Sequence, residues 1–345
     1  MGKTRPAQAP APSLRPTRAK PFRVLVTGAG GPAAIGFLSL AARGDVSMYA
    51  ADMDQFASGL FLVPPHRRIL VPPGSAPGFA EAIVTVCRRE AIDLVVPTVD
   101  AELLPLARHR RELAAAGAAL LAPSVGALQL CLDKAALAAA CRIHAIPVPH
   151  TELLLDISTS LIGRVVKPRT GSGARGVRLI EHDSELAGIP RDGSYIVQEL
   201  LPGDELSVDV FVRADHTLMA AVPRTRDRID SGVSVAGRTL HDQAAITLAA
   251  AAVEMTGLRG ISNVQLKRDT RGALAVIEIN PRMPGSLVLT AAAGANLAAV
   301  ALAEAMGEPV EGPIDFIDAA IVRHLCEVAV PMTEYPTGER KELAS

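Results

Sequence analysis

The sequence predicts an α/β domain followed by a mixed α+β domain. Over residues 21–123, apolar strand-like segments alternate with helical segments and short connections, which is typical of a parallel sheet covered by helices. From about residue 163 the chain is rich in strand-forming runs, and turn signals such as RADH and RDTRG separate neighbouring runs. A chain of 345 residues is long enough for roughly two to three domains.

The elements of the first domain follow one another in a regular order. The strand FRVLV leads into the glycine turn GAGG and a helix, and VSMYAADMD is the second strand. A helix with apolar residues at a 3.6-residue spacing then precedes IDLVVPTVD, whose continuous apolar run is typical of a strand buried on both faces. A further helix and the short strand AALLAPS complete this domain.

The second domain begins with a helix and continues with hairpins. The segment SVGALQLCLDKAALAAACRIHAI predicts one helix capped by Ser124, and QAAITLAAAAVEMTGL predicts another between the strands. The uncharged run at 286–303 is interrupted by polar residues and glycine, so it predicts a buried helix and not a membrane span. Residues 1–20 are basic and rich in Pro and Ala, which predicts a disordered tail, and 313–345 form a polar C-terminal extension.

Composition excludes several classes of function. The formal net charge is −1, from 35 basic and 36 acidic residues, so the chain lacks the basic excess of a nucleic-acid-binding protein. The four cysteines form no CxxC pair and the histidines show no zinc-binding spacing, which favours free thiols in a reducing compartment, the cytoplasm. No secretory signal is evident, and neither nucleic acid nor a membrane is expected as a partner.

The first glycine segment permits two interpretations. GAGGPA, residues 28–33, fits the loose dinucleotide-binding fingerprint between a strand and a helix. Asp52 ends the next strand, where an acid that binds ribose would stand. The alternative is a glycine turn that only lets a strand and a helix pack closely.

A second glycine segment, VVKPRTGSGARGV, indicates phosphate binding. Lys167 ends a strand, and the loop that follows contains three glycines, Ser172 and Arg175. Small residues allow backbone N–H groups to approach phosphate oxygens, and a lysine supplies a positive charge. The segment does not match a P-loop, and an ordinary hairpin with a surface lysine is the alternative.

The stretch YIVQELLPGDELSVDVF suggests a nucleotide hinge. The polar pair Gln198 and Glu199 follows an apolar strand, and Glu205, Ser207 and Asp209 share one face of the next strand. One interpretation is a backbone that pairs with an adenine edge while Glu205 accepts ribose hydroxyls. A half-exposed hairpin with polar outer residues explains the pattern equally well.

The stretch VIEINPRMPG places polar groups on an otherwise apolar strand. Strand alternation puts Glu278 and Asn280 on one face together with Val276, whereas Ile277 and Ile279 point the other way. The RDTRG turn brings Gln265 opposite or diagonal to Glu278, so three side-chain oxygens suited to Mg²⁺ would lie together. A polar strand face toward solvent is the alternative.

In their order and spacing, these segments resemble the ATP-grasp superfamily, and most nearly its carbamoyl-phosphate-synthetase-like branch. The resemblance rests on LDKAAL…IPVP, VVKPRTGSGARGV, VQELLPGDELSVDV and NVQLK…VIEINPRMPG. It implies a Rossmann-like pre-ATP-grasp domain at 21–123, followed by a two-subdomain ATP-grasp fold at 124–312. The smaller lid subdomain would span about 124–197 and the larger one about 198–312. It also favours the packing role for the first glycine turn.

The resemblance implies ATP and Mg²⁺ as cofactors, with Mn²⁺ as a substitute metal. The residues implied to bind ATP are Lys134 and Lys167 on the phosphates, Gly171, Ser172, Gly173 and Gly176 in the flap, Gln198, Glu199, Leu200 and Leu201 at the adenine, and Glu205 on the ribose. The implied metal ligands are Gln265, Glu278 and Asn280, and Arg282 would stabilise the transferred phosphoryl group. Arg224 is the residue expected to hold a substrate carboxylate or phosphate; Arg226, Arg228 and a merely solvated basic loop are the alternatives.

The activity that the resemblance implies is ligation of two small molecules. A carboxylic acid would accept the γ-phosphoryl group of ATP, and an amine or another nucleophile would attack the acyl phosphate. Met283, Gly285 and Ser286 would line the acceptor pocket, and a homodimer is compatible with this activity. Two other hypotheses remain at this stage: an ATP-binding regulatory module without ligase activity, and a nicotinamide-dependent oxidoreductase that uses GAGGPA.

Overall fold

The fold is known from a computed structural model of the chain. It describes residues 20–155, 160–171, 173, 175–230 and 232–336. Ser172 and nearly all of the expected N-terminal tail lie outside the described residues. The same is true of the last nine residues of the C-terminal extension.

The N-terminal domain is built on a parallel sheet of five strands. Its strands are β1 (Phe22–Thr27), β2 (Val46–Asp52), β3 (Arg68–Leu70), β4 (Leu94–Val96) and β5 (Ala119–Leu120). Its helices are α1 (Pro32–Leu40), α2 (Phe79–Glu90), α3 (Asp100–Arg108) and α4 (Arg110–Ala115). The strand order is β3-β2-β1-β4-β5. Strands β2 and β3 are added on one side of β1 and strands β4 and β5 on the other, so the switch point of the sheet lies between β1 and β4. Ligands of such sheets bind beyond the carboxyl ends of the strands at that switch point.

Alternating side chains of this sheet enter two hydrophobic cores. Leu25 and Val95 pack under α2, whereas Val26 and Val96 face the opposite side. This explains the continuous apolar run of β4, because both of its faces are covered. The core on the second face continues into the rest of the chain, where it includes Phe211. The N-terminal domain therefore shares one core with the region that follows.

Two helices, and not the single helix expected, connect the N-terminal domain to the hairpins. They are α5 (Val125–Leu132), whose N-terminus is capped by Ser124 as predicted, and α6 (Lys134–Ile143). Asp133 separates them because its carboxylate accepts hydrogen bonds from the N–H groups of Ala135 and Ala136. An aspartate at this position starts a new helix and leaves Lys134 as its first residue.

The next part of the chain forms an antiparallel sheet of four strands. They are β6 (Thr151–Leu153), β7 (Arg164–Pro168), β8 (Arg178–Leu179) and β9 (Tyr195–Glu199), in the order β6-β9-β7-β8. The second glycine segment connects β7 to β8. This sheet has its own small core, which contains Val166 and Val197. In contrast, α5 and α6 contribute Cys131 and Leu137 to a core beneath the large sheet described next.

The large sheet is also antiparallel and has the order β11-β10-β14-β15. The strands of this region are β10 (Glu205–Val212), β11 (Leu218–Thr225), β12 (Arg228–Asp230), β13 (Val233–Arg238), β14 (Gly260–Arg268) and β15 (Leu274–Asn280). Helix α7 (Gln243–Thr256) covers one face of the large sheet, where Val208, Val264 and Ile279 are buried. The other face carries the polar residues and lines a cavity.

The C-terminal part adds helices and one strand. The run at 286–303 forms two short helices, α8 (Leu287–Ala292) and α9 (Leu297–Ala305), and not the single buried helix expected. Gly294 has a positive φ of 98°, and Asn296 caps α9, so the helix is interrupted there. Strand β16 (Ala320–Val322) pairs with β13, which places part of the expected extension in a sheet with β12 and β13. Among the described residues, no helix combines the length and apolarity that crossing a membrane requires.

Gly59 provides a test of how tightly the first glycine turn is packed. An ideal Cβ at this position would overlap the carbonyl oxygen of Ala29, so Gly59→Ala forces the backbone of the turn to move. We expect the free energy of unfolding to fall by about 1–3 kcal/mol, the usual cost of overpacking. Gly44→Ala is the control, because a Cβ there meets nothing within 4 Å. Equal urea-unfolding curves for the two variants would contradict this packing.

Candidate active site

One cavity of about 590 Å³ lies where the N-terminal domain, the small antiparallel sheet and the large sheet meet. The site residues expected from the sequence that line it are Lys134, Lys167, Gly171, Gly173, Gln198, Glu199, Leu200, Leu201, Glu205, Arg224, Gln265, Glu278, Asn280 and Arg282. Gly176 lies outside the lining, and a Cβ there would be 3.0 Å from a carbon of Pro168. Residues far apart in the sequence are therefore gathered around one space.

Strand register explains why polar residues form the floor of this cavity. Ser207 on β10 pairs with Arg224 on β11 and with Gln265 on β14. Gln265 in turn pairs with Glu278 on β15, so these four residues form one row across the sheet. In the adjacent row Asp209 pairs with Asn263, which pairs with Asn280. Two polar rows thus cover one face of a sheet whose other face is apolar.

A β-bulge in β15 corrects one expectation from strand alternation. The pairing shifts after Gln265, since Leu266 pairs with Val276 and not with Ile277. Val276 is therefore buried in the apolar core under α7, on the face opposite Glu278, and Ile277 lines the cavity. Val276 was expected on the same face as Glu278, and Ile277 on the opposite face. Both expectations are wrong because the bulge inserts one extra residue into the two-residue repeat of the strand.

The three candidate metal ligands fit a magnesium site of low charge. Gln265 lies directly opposite Glu278, and Asn280 follows two residues later on the same strand. The set supplies one carboxylate and two amide oxygens, which suits Mg²⁺ when nucleotide phosphates and water complete the coordination. Within the described ranges, no group of three or more His, Cys, Asp or Glu side chains could hold a metal. A metal here would therefore depend on the amide oxygens.

Two lysines contribute positive charge from different elements. Lys167 at the end of β7 is buried. Burial lowers its pKa, the carboxylate of Glu278 opposes this shift and the charge of Lys134 adds to it, so that the pKa is about 8. Lys134 donates a hydrogen bond from Nζ to the carbonyl oxygen of Gly171 at 2.8 Å. This contact ties the first turn of α6 to the glycine loop. Both ammonium groups are thus positioned for a polyanion.

Asp133 connects helix α6 to Arg169, the residue that follows β7. Besides capping α6, its carboxylate accepts hydrogen bonds from Arg169, with an Nη2–Oδ2 distance of 2.6 Å. The backbone N–H of Lys134 donates to the carbonyl oxygen of Arg169 at 3.0 Å. Burial opposes ionisation of Asp133, but the hydrogen bonds from Arg169 and the backbone hold its pKa below the usual value.

The expected nucleotide hinge follows β9 and lies at the edge of the cavity. Gln198 is buried, and its Nε2 donates to Oγ1 of Thr151 at 2.9 Å, so this side chain serves the small sheet. Leu200 and Leu201 line the cavity after the strand ends. Glu205 is half-buried and forms an ion pair with Nε of Arg226 at 3.2 Å. The residue expected on the ribose thus has a cationic partner.

Arg224 does not belong to a solvated loop. It lies on β11 with only 1% of its surface exposed, and Nε and Nη2 donate to the carboxylate of Asp209 at 3.2 and 3.1 Å. Asp209 also accepts from Asn263 at 2.7 Å and from Thr290 at 2.5 Å. Nη1 of Arg224 is buried without a hydrogen-bond partner, in a residue that lines the cavity. Arg228, in contrast, is exposed on β12.

The chain's second arginine of interest, Arg282, is held by the N-terminal domain. Its Nε and Nη2 donate to Oδ1 and Oδ2 of Asp100 at 2.7 and 3.0 Å, and Nη1 donates to the carbonyl oxygen of Met283 at 3.0 Å. Asp100 is the first residue of α3. The first glycine turn lies nearby in the lining, and the carboxylate of Asp52 accepts a hydrogen bond from the N–H of Gly30 at 2.8 Å. Asp52 thus stabilises the turn, in agreement with the packing role.

Comparison with known proteins finds two family models that match parts of the chain. A family model described as ATP-grasp in the biosynthetic pathway with Ter operon matches residues 191–328. The chain carries an ATP-grasp domain. A second model, described as PylC-like, N-terminal domain, matches residues 24–121. The resemblance to the ATP-grasp superfamily and the fold class expected from the sequence are confirmed, whereas the roles of individual residues remain predictions.

Several solved structures share this fold at low sequence identity. Biotin carboxylase from Campylobacter jejuni is 16% identical with a TM-score of 0.69, over 85% of this chain and 73% of that one. L-amino acid ligase from Bacillus licheniformis is 15% identical with a TM-score of 0.65, over 84% and 75%. N5-carboxyaminoimidazole synthetase from Staphylococcus aureus, complexed with ADP, is 13% identical with a TM-score of 0.69, over 88% and 82%. No curated protein matches the chain.

Sequence reasoning missed several residues that line the cavity of this ATP-grasp domain. Lys267 pairs with Glu205 across β14 and β10, and strand alternation from Gln265 was enough to place it on the polar face. Asp100 and Thr98 follow β4 at the carboxyl edge of the N-terminal sheet, where the switch-point rule indicates a site. Arg226 was an alternative to Arg224, and both line the cavity.

Asp209 provides a test of the buried network under the cavity. Asp209→Asn replaces an acceptor oxygen by a donor group facing other donors and removes the charge that balances Arg224. We expect the free energy of unfolding to fall by about 3–5 kcal/mol, as for other buried ion pairs that lose one partner. Glu90→Gln, which removes the charge that pairs with the exposed side chain of Arg89, should cost at most about 1 kcal/mol. Similar losses in urea-induced unfolding would contradict the buried network.

Proposed function

We propose that the protein is an ATP- and Mg²⁺-dependent ligase that activates a carboxylic acid as an acyl phosphate and transfers the acyl group to an amine. The observation that carries the proposal is the convergence of Lys134, Lys167, Glu278 and Arg282 on one cavity of an ATP-grasp domain. Two lysines, an arginine and a set of metal-binding oxygens are what a transferring phosphoryl group requires.

The phosphate groups of ATP would lie between the two lysines and the glycine loop. Lys134 and Lys167 supply charge from α6 and β7, and the backbone of the loop at Gly171 and Gly173 supplies N–H groups. The adenine would lie against Leu200 and Leu201 at the hinge, with Glu205 close to the ribose. Gln265, Glu278 and Asn280 would hold Mg²⁺. When bound, this ion neutralises charge on the phosphate oxygens.

The reaction needs no protein nucleophile. A carboxylate oxygen of the acid attacks the γ-phosphorus of ATP, the bond to the β–γ bridging oxygen breaks, and ADP leaves. The amine nitrogen then attacks the acyl carbon, phosphate leaves with the bonding electrons, and the nitrogen loses a proton. Arg282 would stabilise the equatorial oxygens during the first step. Positioning of both reactants supplies on the order of 7–11 kcal/mol of the barrier reduction in such sites.

Arg224 supports a carboxylate as the substrate group. Its Nη1 is buried, lacks a partner and belongs to a residue that lines the cavity, whereas Nε and Nη2 are fixed by Asp209. A fixed guanidinium with one unused edge is suited to a carboxylate oxygen. Gly285 and Ser286 also line the cavity and would face the acceptor, as expected, and Met283, expected beside them, is buried just outside the lining. The solved structure named as an L-amino acid ligase supports an amino acid as one substrate.

The other features agree with a small-molecule enzyme of a reducing compartment. Cys87, Cys131 and Cys141 are buried free thiols, and Cys326 is an exposed one. This supports the cytoplasm as the proposed location. Use of Asp52 to stabilise the glycine turn disfavours a nicotinamide site, because the carboxylate already accepts backbone hydrogen bonds. A regulatory ATP-binding module is an outcome that the first experiment below would reveal.

ADP release tests the proposed ligase activity. The protein is incubated with Mg-ATP and a panel of amino acids and other acids, with and without amines, and products are identified by mass spectrometry. We expect ADP and phosphate only with the correct acid. Glu278→Ala should reduce the rate by about a hundredfold or more, the scale on which such sites lose electrostatic stabilisation.

Glu254→Ala is the matched control for this experiment, because Glu254 is exposed on α7, which covers the opposite face of the sheet. This variant should retain the wild-type rate. Tight Mg-ATP binding without ADP release for any acid would indicate a regulatory module. Full activity in Glu278→Ala would contradict the metal assignment.

The lowered pKa of Lys167 predicts pH-dependent nucleotide binding. Because this pKa is about 8 in the free protein, the ammonium group loses its proton as the pH rises through that value. Phosphate binds the charged form, so the affinity for Mg-ADP should fall between about pH 7.5 and 9, with proton uptake on binding. Isothermal titration calorimetry in buffers of different ionisation enthalpy measures both effects.

Lys167→Arg is the control, since arginine keeps its charge over this range. Its affinity should be independent of pH, even if it is lower than that of the wild type. The same pH profile in both proteins would show that another group is responsible.

A further inference from the structure

The ion pair between Asp100 and Arg282 joins two domains at the cavity. Asp100 follows β4 at the carboxyl edge of the N-terminal sheet, and Arg282 follows β15 of the large sheet. The two residues are 182 positions apart in the sequence, yet two hydrogen bonds of 2.7 and 3.0 Å connect their side chains. Both residues line the cavity.

The hydrogen bonds use a defined part of the guanidinium group. Arginine has five N–H donors in a plane: one on Nε and two on each Nη. Nε and one N–H of Nη2 donate to Asp100, and one N–H of Nη1 donates to the carbonyl oxygen of Met283. One N–H on each Nη remains. We refer to these two remaining N–H groups as the end fork, and a pair of guanidinium N–H groups can bind two oxygens of a phosphoryl group.

The pair is held in a position where it is hard to displace. The side chains of Arg282 and Asp100 are 18% and 14% exposed, so water screens their attraction only weakly. The backbones that carry them are also fixed relative to each other, because Val96 of β4 and Met283 belong to one continuous core. The geometry of the fork thus follows from packing between the domains.

We propose that Asp100 is a positioning residue for phosphoryl transfer, which holds Arg282 so that its end fork meets the γ-phosphoryl group of the nucleotide. This inference rests on the proposed function. It gives the N-terminal domain a role in the chemistry in addition to forming a wall of the cavity. A second ion pair between the same parts of the chain, Arg43 to Glu308 at 2.8 Å, does not line the cavity and provides a comparison.

The test compares binding of Mg-ADP with that of Mg-AMP-PNP, a non-hydrolysable ATP analogue, by isothermal titration calorimetry. The dissociation constant for Mg-ADP divided by that for Mg-AMP-PNP measures the contribution of the γ-phosphoryl group. In Asp100→Asn and in Arg282→Ala we expect this ratio to fall by at least about tenfold, the contribution of one charge-assisted hydrogen bond. The dissociation constant for Mg-ADP should remain at the wild-type value. Asp100→Glu should restore part of the ratio.

Glu308→Gln is the matched control, because it removes an ion pair between the same domains away from the cavity. It should retain the wild-type ratio. A wild-type ratio in Asp100→Asn, with loss in Arg282→Ala, would overturn the positioning role. Equal weakening of both nucleotides together with a lower melting temperature would show a structural role only, and would overturn it too. If the wild-type protein binds neither nucleotide, the proposed function fails as well.

Discussion

The buried carboxylate of Asp209 is the interaction on which the large sheet and the cavity floor depend. It accepts hydrogen bonds from Arg224, Asn263 and Thr290, and so connects β10, β11, β14 and α8. A carboxylate buried away from water is stable only when hydrogen-bond donors surround it. Asp209 is fully buried, and each of its three donor residues lies on a different element. The network places polar groups on the face of the sheet that lines the cavity, whereas the face under α7 is apolar. The row that carries Gln265 and Glu278 lies directly beside it.

A continuous core gives this floor a fixed relation to the N-terminal domain. Val26 and Val96 of the parallel sheet belong to the same cluster as Phe211 and Leu287. Relative motion of these parts would expose apolar surface, which is unfavourable. The switch point of the parallel sheet and the ends of β14 and β15 therefore face one another across the cavity as parts of one body. Hydrogen bonds between Asp100 and Arg282 cross the same boundary.

Much of the fold, and the strand pairing at the candidate site, could be predicted from local patterns. The alternation of apolar and polar residues predicted the strands, and Ser124 predicted the N-terminal cap of α5. The RDTRG turn predicted that Gln265 lies opposite or diagonal to Glu278, and the two residues are directly opposite. The patterns failed where long-range contacts decide the structure. The bulge at Ile277 depends on the register of two strands, and the carboxylate of Asp133, which caps α6, is also bound by Arg169 from 36 positions away. The partner of Arg282 lies in another domain, so no spacing in the sequence indicates it.

The small sheet differs from the rest because its core is separate. Among the described residues, the hydrophobic cluster that contains Val166 and Val197 is drawn from residues 154–197, whereas Leu137 of α6 packs under the large sheet. Lys134 and Lys167 are consequently carried by elements that belong to separate cores and are linked by the ion pair between Asp133 and Arg169, and the like charge of Lys134 disfavours the ammonium form of Lys167. A polyanion between the two ammonium groups would offset this repulsion and would bridge two parts of the chain whose hydrophobic cores are separate.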